Sequence, residues 1–437
     1  MKILRNLLLP ALGVALLGFA QAGDKMMLDQ PAPTSKDLFA EWWEGDYALG
    51  DWGGARTDLE DKGLTINILN ASEGWYNVSG GIETGGNLVG YWEWGFEWDF
   101  EPTLGWKGGS IVVDGNWYYG GLPSDELIGA FPATALSSYE SSNAIRMYHM
   151  YFQQTWGQEF GNDSNGANPS DVPGYYLFKI GQFAADDDFL GSVYMGLFAN
   201  ASFGQYPKEA GATAAPAYRL TAPGVYFYAQ PVEEWFVRVG AFSGNAGDDI
   251  VSNNGFGWRW GGATGIASFA ETGVNVDLNG LPGVYLVGGF YDTSEFTAFD
   301  GSTVNNNWNV WFTIDQAVLM QSNGTDTLVG LSFRMVPGPS NNRNPIDWGL
   351  QGAVVVFGEP WGRPQDQFGI GVANVNFPTE TIAGNLNPSE DQTIVEVTYA
   401  AQVNPWLTIQ PNIQFFQDPS LATEDAVAIG LRVVTVF

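Results

Sequence analysis

From Leu64 to the end of the chain, apolar and polar residues alternate in short segments broken by Gly, Pro, Asn and Asp, which is the pattern of strands joined by turns. The clearest segment is 91–100, where Trp92, Trp94, Phe96, Trp98 and Phe100 share one face and Tyr91, Glu93, Gly95, Glu97 and Asp99 the other. A soluble sheet packed on a core and a strand facing lipid both alternate in this way, so one segment does not choose between them. The pattern predicts sixteen strands, at 64–77, 89–101, 109–119, 143–155, 175–183, 220–231, 235–243, 262–275, 284–293, 308–321, 326–336, 348–358, 366–377, 392–403, 406–416 and 426–437.

Their spacing favours lipid. Tight links such as Pro231–Trp235 and Asn404–Pro405 alternate with long stretches rich in Gly, Asn, Pro and Asp at 120–142, 184–219, 244–261 and 337–347. Short turns at one end and long loops at the other, on an even number of strands, describe an all-β, transmembrane antiparallel β-barrel with loops folded inward. In the segment 406–416, Leu407, Ile409, Pro411, Ile413 and Phe415 oppose Thr408, Gln410, Asn412 and Gln414. A polar wall of that kind lines a water-filled interior better than it fills a packed core. The last strand ends in Phe437, with Thr435, Val433, Leu431 and Ile429 opposite Arg432, and must pair with the first strand to leave no open edge in lipid.

Composition sharpens this. Charged residues make up only 15% of the chain and aromatic residues also 15%, which suits a lipid-contacting wall rather than a disordered chain. No run after the N-terminus reaches the ~18 apolar residues of a spanning helix. Cys is absent, so neither disulfides nor thiolate chemistry enter. Residues 1–22 have the plan of an export signal: basic Lys2 and Arg5, apolar Leu7 to Phe19, and the cleavage-type site Ala20-Gln21-Ala22. Residues 23–60 form a separate N-terminal segment, in which Asp37–Trp43 suits a short amphipathic helix at or in the mouth of a barrel spanning 61–437. The formal charge of −31 disfavours nucleic acid or an anionic surface as a partner and points to soluble acidic loops or a cation-favouring lumen.

Charges inside strands must face the lumen or pay a penalty in lipid. Alternation puts Glu93, Glu97, Asp99, Lys179, Arg238, Asp315, Arg334, Glu396, Gln410 and Arg432 on the polar face, as pore-lining candidates or as pairs that stiffen the wall. Trp311 and Trp406 fall inward and Trp117 outward. His149 is the single imidazole, and no nucleophile elbow or HExxH motif accompanies it, so catalysis is not expected. No cofactor is expected either. Asp186-Asp187-Asp188 and Asp248-Asp249 are candidate Ca²⁺ ligands, or simply solvated loop acids, without EF-hand spacing.

Several pieces in order resemble the carbohydrate-selective porins of the OprB type. They begin with Gly50-Asp51-Trp52-Gly53-Gly54-Ala55-Arg56, Leu59, Gly63 and the run 77–81. Gly181-Gln182-Phe183 with 186–189, Ala222–Val225, Trp235 and Gly244-Asn245 follow. Gly283–Tyr285, Gly288–Thr293, Asp315-Gln316, Gly362-Arg363-Pro364, Val403–Pro411 and Gly430-Leu431-Arg432 complete the order. The resemblance implies a sixteen-stranded barrel of the Gram-negative outer membrane, embedded in its lipid, that passes monosaccharides or small oligosaccharides by diffusion. It carries Gln410 and Arg432 over as lumen residues, while Arg334 and Glu396 rest on alternation. It also implies several basic residues at the constriction, whereas inward basic candidates here are few. A channel for cations or other small solutes and a purely structural envelope barrel are the competing readings, and a homo-oligomer is compatible with the exposed aromatic face.

Overall fold

The computed structural model describes residues 35–157, 174–204, 216–244, 254–258, 264–337, 342–378 and 391–437. The predicted export signal and the pair Asp248-Asp249 lie outside these residues. Sixteen antiparallel strands close on themselves, each paired with its sequence neighbours and β1 with β16. The first eight are β1 (Leu64–Gly81), β2 (Gly85–Asp99), β3 (Gly109–Gly120), β4 (Ala144–Gly157), β5 (Tyr175–Phe183), β6 (Ala222–Val232), β7 (Trp235–Ser243) and β8 (Ile266–Asp277). The others are β9 (Pro282–Thr297), β10 (Thr303–Met320), β11 (Thr327–Pro337), β12 (Trp348–Gly358), β13 (Arg363–Asn376), β14 (Asp391–Asn404), β15 (Leu407–Gln417) and β16 (Glu424–Val436). No described helix is long and apolar enough to cross a membrane.

All sixteen expected strands are present, with the largest differences at their loop-side ends. β10 starts at Thr303 rather than near 308, because Thr303-Val304-Asn305-Asn306-Asn307 is polar on both faces and offers no alternation to read. The sorting of connections holds with exceptions. Residues 82–84 and 298–302 are short links on the long-loop side, and 158–174 is a long one on the side of the tight turns.

Facing follows the pleat. Along β2, Trp94 and Phe96 stand outward and exposed, while Tyr91 points inward and is 4% exposed. Phe100 departs from its expected row. β2 ends at Asp99, and Phe100 caps the short helix α3 (Glu101–Leu104), buried against Trp98, Trp106 and Phe152 with ring centroids 5.0–6.3 Å away. Along β16, Ile429 and Leu431 are exposed and Arg432 is buried on the inner side.

The seam between β1 and β16 runs from Leu69↔Val436 to Asn77↔Ala428 before bulging. The N-terminal segment braces its turn-side end. Ala48 N donates to Val436 O at 2.8 Å, and Arg56, in α2 (Ala55–Glu60), donates from Nη2 to Phe437 O at 2.8 Å. The Arg56 guanidinium also lies over the rings of Tyr47 and Trp52, at 3.6 and 4.4 Å.

A lysine on the lipid face near the membrane centre costs about 2–4 kcal/mol. Phe96→Lys is therefore expected to lower the yield of folded barrel, read as the heat-modifiable band on unboiled gels. A folded yield equal to the parent's would overturn the assignment of Phe96 to the lipid face.

Candidate functional site: the lumen and its inner belt

Between β5 and β6 the chain turns into the barrel, and residues 184–204 run as a belt along the inner wall from β5 round to β15. The belt has little regular structure, so its backbone polar groups need partners that a strand would have given it. The wall supplies them through the inward side chains that alternation singles out. Lys179 pairs with Asp188 at 2.7 Å. The Asp315 carboxylate accepts from Ser192 Oγ at 2.7 Å and Val193 N at 2.9 Å, and also from Ser332. Arg334, fully buried, donates from Nη2 to Leu190 O at 2.6 Å. Glu396 accepts from Ala199 N and Asn200 N at 2.7 and 2.8 Å and from Asn412. Gln410 donates to Leu197 O at 2.7 Å, and Gln414 accepts from Asn200 Nδ2 at 2.9 Å.

The two remaining inward basic candidates are paired across neighbouring strands. Arg238 on β7 pairs with Glu271 directly opposite on β8, and Glu271 also accepts from Trp311 Nε1 at 2.7 Å and Leu190 N at 3.3 Å. Trp311 is inward, as alternation has it, but wholly buried, so its ring serves the packing of the wall and offers no open face. Arg432 donates to Glu73 Oε1 at 2.6 Å across the β1–β16 seam and lies 4.9 Å from the Tyr139 ring centroid. Asp99 sits at the turn-side rim, exposed, where its carboxylate accepts from Glu101 N at 2.9 Å rather than facing the middle of the lumen.

Apolar packing completes the belt. Tyr194, Met195, Phe198 and Phe203 pack on Ala353, Val355 and Ala373 of β12 and β13. Gly330 makes room: a Cβ there would come within 2.3 Å of the Tyr194 ring. Loop 121–143 covers the wall beside the seam at its loop end, with Leu127, Ile128 and Leu136 packed on Trp75, Ile394 and Phe416.

Over β1 to β4, Tyr139 and Tyr218 pack on Ala71, Tyr91, Tyr118 and Tyr148, and half-buried inward groups lie on the turn side of that cluster. Half-buried groups there include Glu93, bonded by Tyr91, and Glu97, which accepts from Ser110 Oγ at 3.0 Å and Gln153 Nε2 at 3.1 Å. His149 bridges wall and belt. Its Nδ1 lies 2.7 Å from Asp114 Oδ2 and its Nε2 2.8 Å from Asp187 Oδ2, so one imidazole spans two carboxyl groups. Asp114, Glu73 and Glu271 join the candidate site without having been singled out in the sequence, where His149 enters only as the single imidazole and Asp187 only as a candidate Ca²⁺ ligand. Glu73 and Glu271 share the inward face of their strands and were legible by alternation. The bridge was not, because β3 and β4 shift register between Val113 and Gly115.

The aspartate triplet does not converge. Asp186 accepts from Tyr218 N at 2.7 and 2.9 Å, Asp187 meets His149, and Asp188 meets Lys179. Among the described residues no group of three or more His, Cys, Asp or Glu is arranged to hold a metal ion. Burial, then the neighbouring Asp187 charge, holds the Asp186 carboxyl up at about 8. Burial also raises Glu140 to about 7, although Ser124 and Ser137 donate to it. Burial alone would raise Asp187, but the His149 charge and hydrogen bond, the Lys179 charge and the Ala184 N–H together outweigh it and hold that carboxyl below the usual range. Packed Asp186 thus holds a proton that a solvated aspartate gives up at lower pH, so its packing is favoured at low pH and weakens as pH rises toward 8. Asp187 has the opposite sense, favouring the packed belt above the ordinary carboxylate range and losing that contribution below it.

Residues 88–437 match the family model described as "Carbohydrate-selective porin, OprB family". The chain is 26% identical to Porin B of Pseudomonas aeruginosa, covering 90% of this chain and 91% of that protein. It is also 26% identical to the putative porin QuiX of Acinetobacter baylyi, covering 90% and 94%. The high-pH structure of Pseudomonas putida OprB superposes with a TM-score of 0.77 at 22% identity, over 90% of this chain and 99% of that one, and so shares its fold. A closed sixteen-stranded barrel with a lipid-facing apolar row, a polar inner wall and a matching family model over most of its length leads to one conclusion: the chain belongs to the OprB family of carbohydrate-selective porins, channels of the Gram-negative outer membrane.

Proposed function

We propose that monosaccharides and small oligosaccharides diffuse along the side of the lumen left open by the belt, past Glu93, Glu97, His149 and Asp187, and that no covalent chemistry or cofactor takes part. The observation that carries this reading is the fate of the inward cations. Lys179, Arg238 and Arg432 are each engaged by a carboxylate, so the passage offers hydroxyl-binding dipoles and half-buried acids rather than open positive charge. Neutral, hydroxyl-rich solutes suit such a surface, and small cations are favoured over anions. On this reading Asp315, Arg334, Glu396 and Gln410 act on the solute indirectly, by fixing the width of the passage. His149 is a fastening between wall and belt, and the exposed aromatic row meets outer-membrane lipid.

Liposome swelling with glucose, a disaccharide and amino acids of matched size tests the preference directly. Faster entry of sugar is expected, and equal rates would sink carbohydrate preference while leaving a pore. Under a salt gradient in planar bilayers the reversal potential should report cation preference. Glu97→Gln should weaken that preference with the folded yield unchanged, and an unaltered reversal potential would remove Glu97 from the ion path. Glu396→Ala strips the acceptor from two belt N–H groups, each costing about 1–3 kcal/mol when left buried and unpaired. Larger single-channel conductance and more frequent fluctuations are expected, with the parent's own fluctuations becoming rarer as pH falls from 8 to 6. Identical traces for parent and variant would mean that the belt is held without Glu396.

A further inference from the structure

The helix α1 (Ser35–Glu44) stands at the turn-side mouth and presents more aromatic surface than its own packing uses. Trp42 and Trp43 lie against Trp406, with ring centroids 4.9 and 5.9 Å apart, and Phe39 stacks on Trp43 at 6.0 Å with 18° between the planes. Trp406 Nε1 donates to Trp42 O at 3.3 Å, Trp42 Nε1 to Ala48 O at 2.8 Å, and Ala48 N to Val436 O, so the cluster is tied to the barrel rim. Phe39, Trp42 and Trp43 nevertheless remain 60%, 38% and 36% exposed.

Two features say what covers these rings. Trp406 continues the inward row of Gln410 and Thr408 in β15, which sets the cluster on the lumen side of the rim rather than the lipid side. A helix lying on a membrane surface carries Lys and Arg on its polar face. This one has a single Lys36 against Asp37, Glu41 and Glu44. The C–H face of a pyranose carries slight positive charge and fits the negative face of an indole.

We propose that Phe39, Trp42, Trp43 and Trp406 form a second carbohydrate site, an aromatic platform at the turn-side mouth that receives pyranose rings after they pass the belt. It rests on the carbohydrate-channel reading and lies apart from the constriction. Contact there is weak and reversible, because a channel site must release what it holds.

Full-length protein in planar bilayers, with maltotriose added to one side at a time, tests the platform. Sugar on the α1 side should reduce ion current at lower concentration than sugar on the loop side. Trp43→Ala should raise the half-blocking concentration from the α1 side about fivefold, equivalent to about 1 kcal/mol, with block from the loop side unchanged. Trp43→Phe should restore most of the parent's behaviour. Block by Trp43→Ala equal to the parent's from both sides overturns the platform. So does a lowered folded yield with unchanged block, which would assign α1 to the membrane surface. If parent vesicles do not swell with glucose, the carbohydrate reading itself has failed. If they swell normally and only the block comparison is flat, the platform alone has.

Discussion

Hydrocarbon offers a backbone no hydrogen-bond partner, and closure of β1 on β16 is the condition on which everything else in this molecule rests. A single open edge would leave a row of N–H and C=O groups unsatisfied at a cost of several kcal/mol each. Once main-chain pairing holds the wall, its inward side chains are released from the task of building a core. Glu73 and Arg432, directly opposite each other at the seam, show the economy of this: one ion pair spans the closure and its arginine also lies over the Tyr139 ring.

The released side chains hold a second layer. An irregular segment inside a barrel carries the same unsatisfied backbone as an edge in lipid, and here carboxylates and amides of the wall answer it. Glu396 satisfies two successive N–H groups, Asp315 a backbone and a hydroxyl donor, and Arg334 a carbonyl. Buried charges hydrogen-bonded in this way are costly to strip of their partners rather than strongly stabilising to form. Their effect is therefore on position: they fix where the belt lies more than how tightly the barrel holds together.

Legibility in the sequence follows the same division. The sixteen strands and their facing were readable because lipid and water impose period two, as in Leu407–Phe415 against Thr408–Gln414. Local rules also predicted that Asp315, Arg334 and Glu396 point inward. Their partners were not readable, since Ser192, Leu190 and Ala199 lie 123, 144 and 197 residues away in a stretch without periodicity. Polar wall residues thus looked like lumen surface when several of them are fastenings. Phe100 and Asp99 mark the other boundary, where alternation runs on past the strand's end because the following turn happens to carry the right residue types.

The contact between Arg56 and Phe437 joins positions 381 residues apart. The chain entropy of bringing such distant segments together has to be met before the contact returns anything. Arg56 meets this acceptor in a barrel whose β16 lies in register beside β1. A barrel whose last strand slipped by one residue would move Phe437 to the other face of the wall and leave Arg56 without that oxygen. The contact therefore requires the same register at the closure that the lipid-facing apolar row requires, and ties the N-terminal segment to it.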